Sequence, residues 1–395
     1  MSDASRRVHH TSHRSLIQPS APGGRRASVD AIIVPSARSA GMLGEAGRLA
    51  VELGCALLVL SSKHSEAEKV FRYLTDRGVN QVIAVDFPRA GVPRLPELET
   101  STVLGRSRLQ RRTDTSAKRN LGLVLARVLG WKNVVFLDDD ITVPKATDLE
   151  LAAGALPGRD GVGLHIGGYP DNSVVCHANR VTGAPQSTFI GGGALVVPAD
   201  RMDSFFPEIY NEDWFFLLGK TMLRPVSQVG TALQKPYDPF ANPDRARREE
   251  FGDVLAEGLF ALFDDGQKIG DAGPGYWTEY LATRLELIMS IQERLDPSET
   301  QGKQILESLT AARGRLQFIT ADQCTEYIAA WQRDRVRWRG FMNGMRPIRR
   351  LPAGMTPVDV ALTRFGLQQV TWWTGAPRRP APTPTGSPRE RVAVA

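Results

Sequence analysis

Cysteine is scarce in this chain: Cys55, Cys176 and Cys324 are the only three in 395 residues, far apart and without a C-x-x-C pair. An odd, scattered set argues against a disulfide framework or a thiolate zinc site, and fits a reducing, cytoplasmic compartment. Long apolar runs are missing too. No stretch reaches the ~18 uncharged apolar residues of a membrane span, and neither Arg6-Arg7 nor Arg25-Arg26 leads into the apolar core of a signal peptide. Charge of one sign is also in short supply. Against 43 acidic residues stand 49 basic ones, a net +6, much of it in the two tails. A nucleic-acid binder concentrates basic charge on a folded face, so no nucleic-acid partner is expected.

What is present is a globular composition, 42% hydrophobic and 23% charged, at a length that suits two or three domains. Residues 1–28, rich in Ser, Arg, His, Pro and Gly, read as a flexible N-terminal arm. Residues 346–395 read as a C-terminal segment, disordered from about 377 where Pro, Thr and Arg dominate. Over 29–242, short apolar runs alternate with helical stretches. The pattern predicts strands at 31–34, 56–60, 81–85 and 133–137, and helices at 41–53, 66–77 and 118–129. Continuous apolar strands separated by helices predict an α/β fold with a mostly parallel sheet flanked by helices. After about residue 243 the strands stop. Helices are expected at 243–263, 276–295, 299–316 and 321–342, making an α-helical C-terminal extension over 243–345.

The most informative segment is Val134-Val135-Phe136-Leu137-Asp138-Asp139-Asp140-Ile141, an apolar strand running straight into three carboxylates. In extended geometry Asp138 and Asp140 share one side, where their charges repel unless neutralised. A hard divalent cation, Mg²⁺ or Mn²⁺, held by few carboxylates and completed by water and phosphate, would neutralise them. Ligands of open α/β sheets also bind at strand carboxyl ends. The competing reading is a solvated turn whose Asp caps the next helix.

Upstream, Ser116-Ala117-Lys118-Arg119-Asn120-Leu121-Gly122 opens the helix that leads into this strand. An Arg-Asn-x-Gly helix start followed by a strand ending in Asp-x-Asp resembles the nucleotide-sugar-dependent glycosyltransferases of GT-A fold, especially family 2. In the same order, Ile32-Ile33-Val34-Pro35 is similar to that family's opening strand and Gly191-Gly192-Gly193-Ala194 to its glycine segment. Asn211-Glu212-Asp213-Trp214 is similar to its Glu-Asp motif. The resemblance covers residues 30–240 and implies a GT-A-like (Rossmann-like) transferase domain over 29–242.

The resemblance further implies a nucleoside-diphosphate sugar donor, a hydroxyl-bearing acceptor and Mn²⁺ or Mg²⁺. Asp138 would contact the donor's ribose or base and, with Asp140, the metal; Asp139 would be the less constrained middle residue. Asp213 would be the general base, supported by Glu212. Lys118 and Arg119 would neutralise the diphosphate or line the nucleotide pocket, with Pro35, Arg38, Asn120, Gly192 and Gly193 completing the donor-binding set. One departure stands out. The family's second strand commonly ends in an acidic residue, whereas here Leu60 leads into Ser61-Ser62-Lys63-His64, so nucleobase recognition must differ.

The chemistry asks for these residue types. A diphosphate leaving group needs positive charge, and an attacking hydroxyl needs a carboxylate to take its proton; one base and one metal suffice for single-displacement inversion. Two alternatives stay open: a sugar nucleotidyltransferase, whose Gly-rich basic loop has only a weak counterpart in Pro35–Gly41, and a non-catalytic binding or scaffold protein keeping the fold. Elsewhere, His165 and His177 are candidates to complete a metal shell but read first as structural. Lys235–Phe240 reads as a lid, acceptor wall or linker. Trp331 and Trp338 read as anchors docking their helix on a neighbour.

Overall fold

The computed structural model describes residues 9, 12–19, 24–109 and 113–375; the tail from about 377 lies outside the described residues. The first half is built from apolar runs long enough only for strands and covered on both faces. β1 (Ala31–Ser36), β2 (Ala56–Ser61), β3 (Val82–Asp86) and β4 (Asn133–Leu137) pair in parallel in the order β3-β2-β1-β4. The crossovers are α1 (Gly44–Leu53), α2 (Ala67–Thr75) and, before β4, α3 (Glu99–Gly105) and α4 (Thr115–Leu129). Gly54 and Gly130 end α1 and α4 in left-handed conformation, which glycine adopts without penalty.

The second half turns the sheet mixed. β5 (Ile141–Thr142), α5 (Ala146–Gly154), β6 (Gly161–Gly168), α6 (Val174–Val181), β7 (Ala194–Pro198), α7 (Glu212–Phe216) and β8 (Val226–Gln234) follow in order. β7 lies antiparallel between β4 and β6, β8 runs parallel to β6, and β5 is antiparallel on the outer edge. With β9 (Thr371–Trp373) antiparallel to β3, nine strands form one sheet. β1, β2, β3, β4, β6 and β8 point one way; β5, β7 and β9 point the other. Apolar side chains alternate between two cores, one under α1, α2 and α5, the other under α4 and the C-terminal helices.

Those helices are α8 (Pro243–Asp264), α9 (Pro274–Glu293), α10 (Thr300–Leu316), α11 (Ala321–Gly344) and α12 (Pro357–Phe365). α8 starts with Pro243 behind Asn242, whose side chain accepts from the Asp244 N–H. It is buried along nearly its whole length, packed chiefly against α10 and also against α6, α7 and α9. Trp331 and Trp338 of α11 are fully buried, docking that helix.

Two expectations need correction. The strands do not stop at 243, because β9 returns from the C-terminal segment to cover the edge of β3. The arm is not flexible at residues 12–19 either. His13 is buried there, its Nδ1 2.5 Å from Asp264 Oδ2 and its Nε2 3.1 Å from Glu257 Oε2, while Gln18 bridges Ser227. Burial opposes a charged imidazole, but the hydrogen bonds and charges of the two carboxylates outweigh it and raise His13 to about 9. An ion pair satisfied on both ring nitrogens, boxed by Phe189, Trp214 and Phe260, is what anchors the strap.

Candidate active site

Strand β4 delivers its three carboxylates at its carboxyl end, and two arginines meet them. The Asp138 N–H donates to the Gly193 carbonyl at 3.0 Å, so β7's approach fixes where the triplet starts. Arg119, buried on α4, donates from Nη2 to Asp138 Oδ1 at 2.8 Å and from Nη1 to Glu212 Oε1 at 3.1 Å. Arg38, half exposed in the loop after β1, contacts the Asp139 carboxylate and lies 2.8 Å from Asp140 Oδ2 through the same Nη2. Asp139 also accepts from Ser36 Oγ at 2.7 Å. It is thus the most enclosed of the three, against the expectation that the middle residue is the least constrained. Enclosure pushes the Asp138 carboxyl up and the Asp140 charge adds to this, against the pull of Arg119.

The glycine segment before β7 is shaped by these groups. A Cβ on Gly192 would lie 2.4 Å from Arg119 Nη1 and 2.8 Å from its Cζ, so only glycine lets the buried guanidinium sit there. The Gly192 N–H donates to Asp213 Oδ2 at 2.5 Å, and the Trp214 N–H donates to Asp213 Oδ1 at 2.9 Å. Asp213 sits in the first turn of α7, which Asn211 enters with φ 61°. Two backbone amides therefore fix the carboxylate's direction.

Asp138, Asp140, Glu212 and Asp213 line one pocket of about 350 Å³, together with Arg119, Gly191 and Gly193. Its far wall comes from the loop after β6 (Asp171, Asn172), from Trp214, and from Arg245, Asp253 and Glu257 of α8. Pro35, Arg38, Lys118, Asn120, Asp139 and Gly192 are not in that lining. Lys118 is spent within the scaffold: its Nζ donates to the Ser36 carbonyl at 2.8 Å and Ser62 Oγ at 2.7 Å and lies 3.1 Å from Asp114. Burial lowers its affinity for a proton, with Asp114 opposing. Asn120 exchanges two hydrogen bonds with the Phe206 backbone, tying α4 to the loop before α7. His165 is exposed, and His177 is buried against Tyr237 Oη at 2.9 Å, pushed down to about 3 by burial and by Arg245 and Arg180. The Lys235–Phe240 stretch backs the pocket through Tyr237, which contacts Arg245.

Sequence reasoning missed Asp171. It lies in an irregular loop with no motif around it. Its side chain is exposed to solvent but sits within the concave pocket. That enclosure, then the charges of Asp213, Asp138 and Asp140, push its carboxyl up to about 7. A lone Tyr-Pro-Asp-Asn turn carries no signal of this; only the convergence of three chain segments creates it.

Among the described residues, no group of three His, Cys, Asp or Glu side chains is arranged as a ready metal cage. Asp138 gives Oδ1 to Arg119 and Asp140 gives Oδ2 to Arg38, so each keeps one oxygen clear of its arginine. Mg²⁺ and Mn²⁺ commonly take one or two protein carboxylates and draw the rest from phosphate and water. The pair fits an ion of that kind and not a closed metal centre.

No known family profile matches the chain, and no curated protein matches it. Among solved structures, a mannosyltransferase from Pyrobaculum calidifontis, PcManGT, in complex with GDP-Man and Mn²⁺, aligns over 84% of this chain and 89% of that one. The TM-score is 0.38 and the identity 14%, a likeness too remote to decide fold or function. Among the described residues no helix is long and apolar enough to cross a membrane.

Proposed function

We propose that this protein is a GT-A-fold glycosyltransferase that moves a sugar from a nucleoside-diphosphate sugar to a hydroxyl acceptor with Mn²⁺ or Mg²⁺. The observation that carries the reading is that the Asp138 and Asp140 carboxylates after β4 and the Asp213 carboxylate opening α7 line a single pocket. The parallel β3-β2-β1-β4 unit, with ligand-side carboxylates at its strand ends, supports it.

Asp140 and Asp138 would hold the cation, which when bound would supply positive charge to the departing diphosphate. Arg119 keeps Asp138 and Glu212 together from behind and holds the wall rigid. Asp213, aimed by the Gly192 and Trp214 amides, accepts the acceptor's proton as its oxygen attacks the anomeric carbon from the face opposite the diphosphate, inverting the centre. Asp171, across Gly191 from Asp213, gives the same pocket a further carboxyl, one that titrates near neutral pH. The α8 wall closes the acceptor end.

The test is thermal-shift screening with UDP-, GDP- and TDP-sugars, with and without Mn²⁺, since a ligand of the folded state raises Tm. One nucleotide giving a Mn²⁺-dependent shift, followed by release of the nucleoside diphosphate on turnover, upholds the reading. Release of pyrophosphate instead identifies a nucleotidyltransferase, and no shift with any nucleotide leaves the scaffold reading.

A further inference from the structure

Two arginines of opposite character pair with the acidic triplet. Arg119 is buried on a helix between Asp138 and Glu212, and Gly192 packs against its guanidinium. It cannot leave without stranding two carboxylates. Arg38 has the other character. Its side chain is 47% exposed, it sits in the loop between β1 and α1, and one nitrogen serves both Asp139 and Asp140. If that nitrogen departs, Asp139 still has Ser36 Oγ at 2.7 Å. Asp140 has no such reserve: Arg38 is its only ion-pair partner among the described residues.

We propose that Arg38 is a displaceable counter-charge, holding Asp140 in the donor-free protein and releasing it to a divalent cation when a diphosphate draws the guanidinium away. This rests on the glycosyltransferase reading and adds an order of events to it. A guanidinium between two carboxylates satisfies them as a cation would, so a free metal ion must first compete with it. A half-exposed ion pair is worth about 0–1 kcal/mol, weak enough to exchange. A nucleoside diphosphate offers Arg38 two phosphates that match its planar donor fork, and the vacated Asp140 then faces the ion that those phosphates also bind. Metal and nucleotide thereby strengthen one another's binding, and the coupling is reciprocal.

Mn²⁺ titrations followed by the electron paramagnetic resonance of the free ion test this without turnover, with full-length wild type, Arg38→Gln, Arg38→Lys and Asp140→Asn, each with and without UDP or GDP. Arg38→Gln is expected to bind Mn²⁺ alone about fivefold more tightly than wild type, the size of the ion pair it removes. It should also lose the part of the nucleotide-induced tightening that protein adds beyond nucleotide–Mn²⁺ association. Arg38→Lys keeps the charge, so its affinity for Mn²⁺ alone stays near wild type, while its nucleotide-induced tightening falls because the donor fork is lost. A purely structural Arg38 would leave Mn²⁺ affinity unchanged or weaken it when replaced, and that outcome overturns the proposal. Loss of Mn²⁺ binding in Asp140→Asn with unchanged affinity in Arg38→Gln overturns the exchange while sparing the metal site. Absence of Mn²⁺ binding in every protein, with and without nucleotide, overturns the metal reading and the exchange together.

Discussion

Replacing Asp171 with Asn removes one ionisable carboxyl from the pocket and leaves its shape. In the folded protein that carboxyl titrates at about 7, against an ordinary 3.8. The unfolded chain therefore gives up the proton near pH 4 and the native state near pH 7. Between those values the native state binds more protons than the unfolded one, so wild-type stability falls as pH rises. About three pH units at about 1.4 kcal/mol each set a ceiling of about 4 kcal/mol. The side chain is exposed, and solvent screening brings the expected cost down to about 1–2 kcal/mol. Asp171→Asn should match wild type near pH 4 and exceed it by that amount at pH 8, a Tm gain of a few degrees for a chain of this size. Thermal melts in EDTA from pH 4 to 8.5 measure it. A stability gap that does not widen between pH 4 and 7, or a variant less stable than wild type at pH 8, refutes the electrostatic reasoning.

Asp213→Asn should cut transfer about 10²–10⁴-fold while nucleotide affinity, read by calorimetry, stays unchanged. Gly192→Ala drives a methyl into the Arg119 guanidinium and should cost about 1–3 kcal/mol of stability, seen in denaturant melts, together with weaker Mn²⁺ binding. His13, raised to about 9 against an ordinary 6.5, stabilises the fold fully below pH 6.5 and loses that contribution as pH rises through 9. The stability difference between wild type and His13→Asn should therefore shrink between pH 7 and 9.5. Arg284 is buried in ion pairs with Glu250 at 2.9 Å and Asp253 at 2.5 Å. Arg284→Met leaves both carboxylates uncompensated, and urea melts should show a loss of about 3–5 kcal/mol.

Much of the architecture was legible because it is written in period. β4 spans the expected 133–137, and α8 to α11 begin and end within two residues of their apolar pattern. β6 and β8 were not legible, because Gly-Val-Gly-Leu-His-Ile-Gly-Gly and Val-Ser-Gln-Val-Gly-Thr-Ala-Leu-Gln lack β-branched continuity and are partly exposed. β9 is three residues long and owes its conformation to the edge it covers. In the site, the carboxylate triplet announces itself by sitting after four apolar β-formers. Its partners do not: Arg38 and Asp139 are 101 residues apart, and nothing local says that they meet. Lys118 shows the converse, a basic residue well placed in sequence whose ammonium turns inward to Ser36 and Ser62.

The return of β9 to β3 has a practical sequel. Three residues near position 372 are what separate an otherwise open row of peptide groups on β3 from the surrounding medium. A chain shortened to end before Thr371 would bare that row, and bared strand margins pair with one another. Self-association on trimming the carboxyl terminus would then report a missing lid on the sheet, while the pocket, several strands away, stays whole.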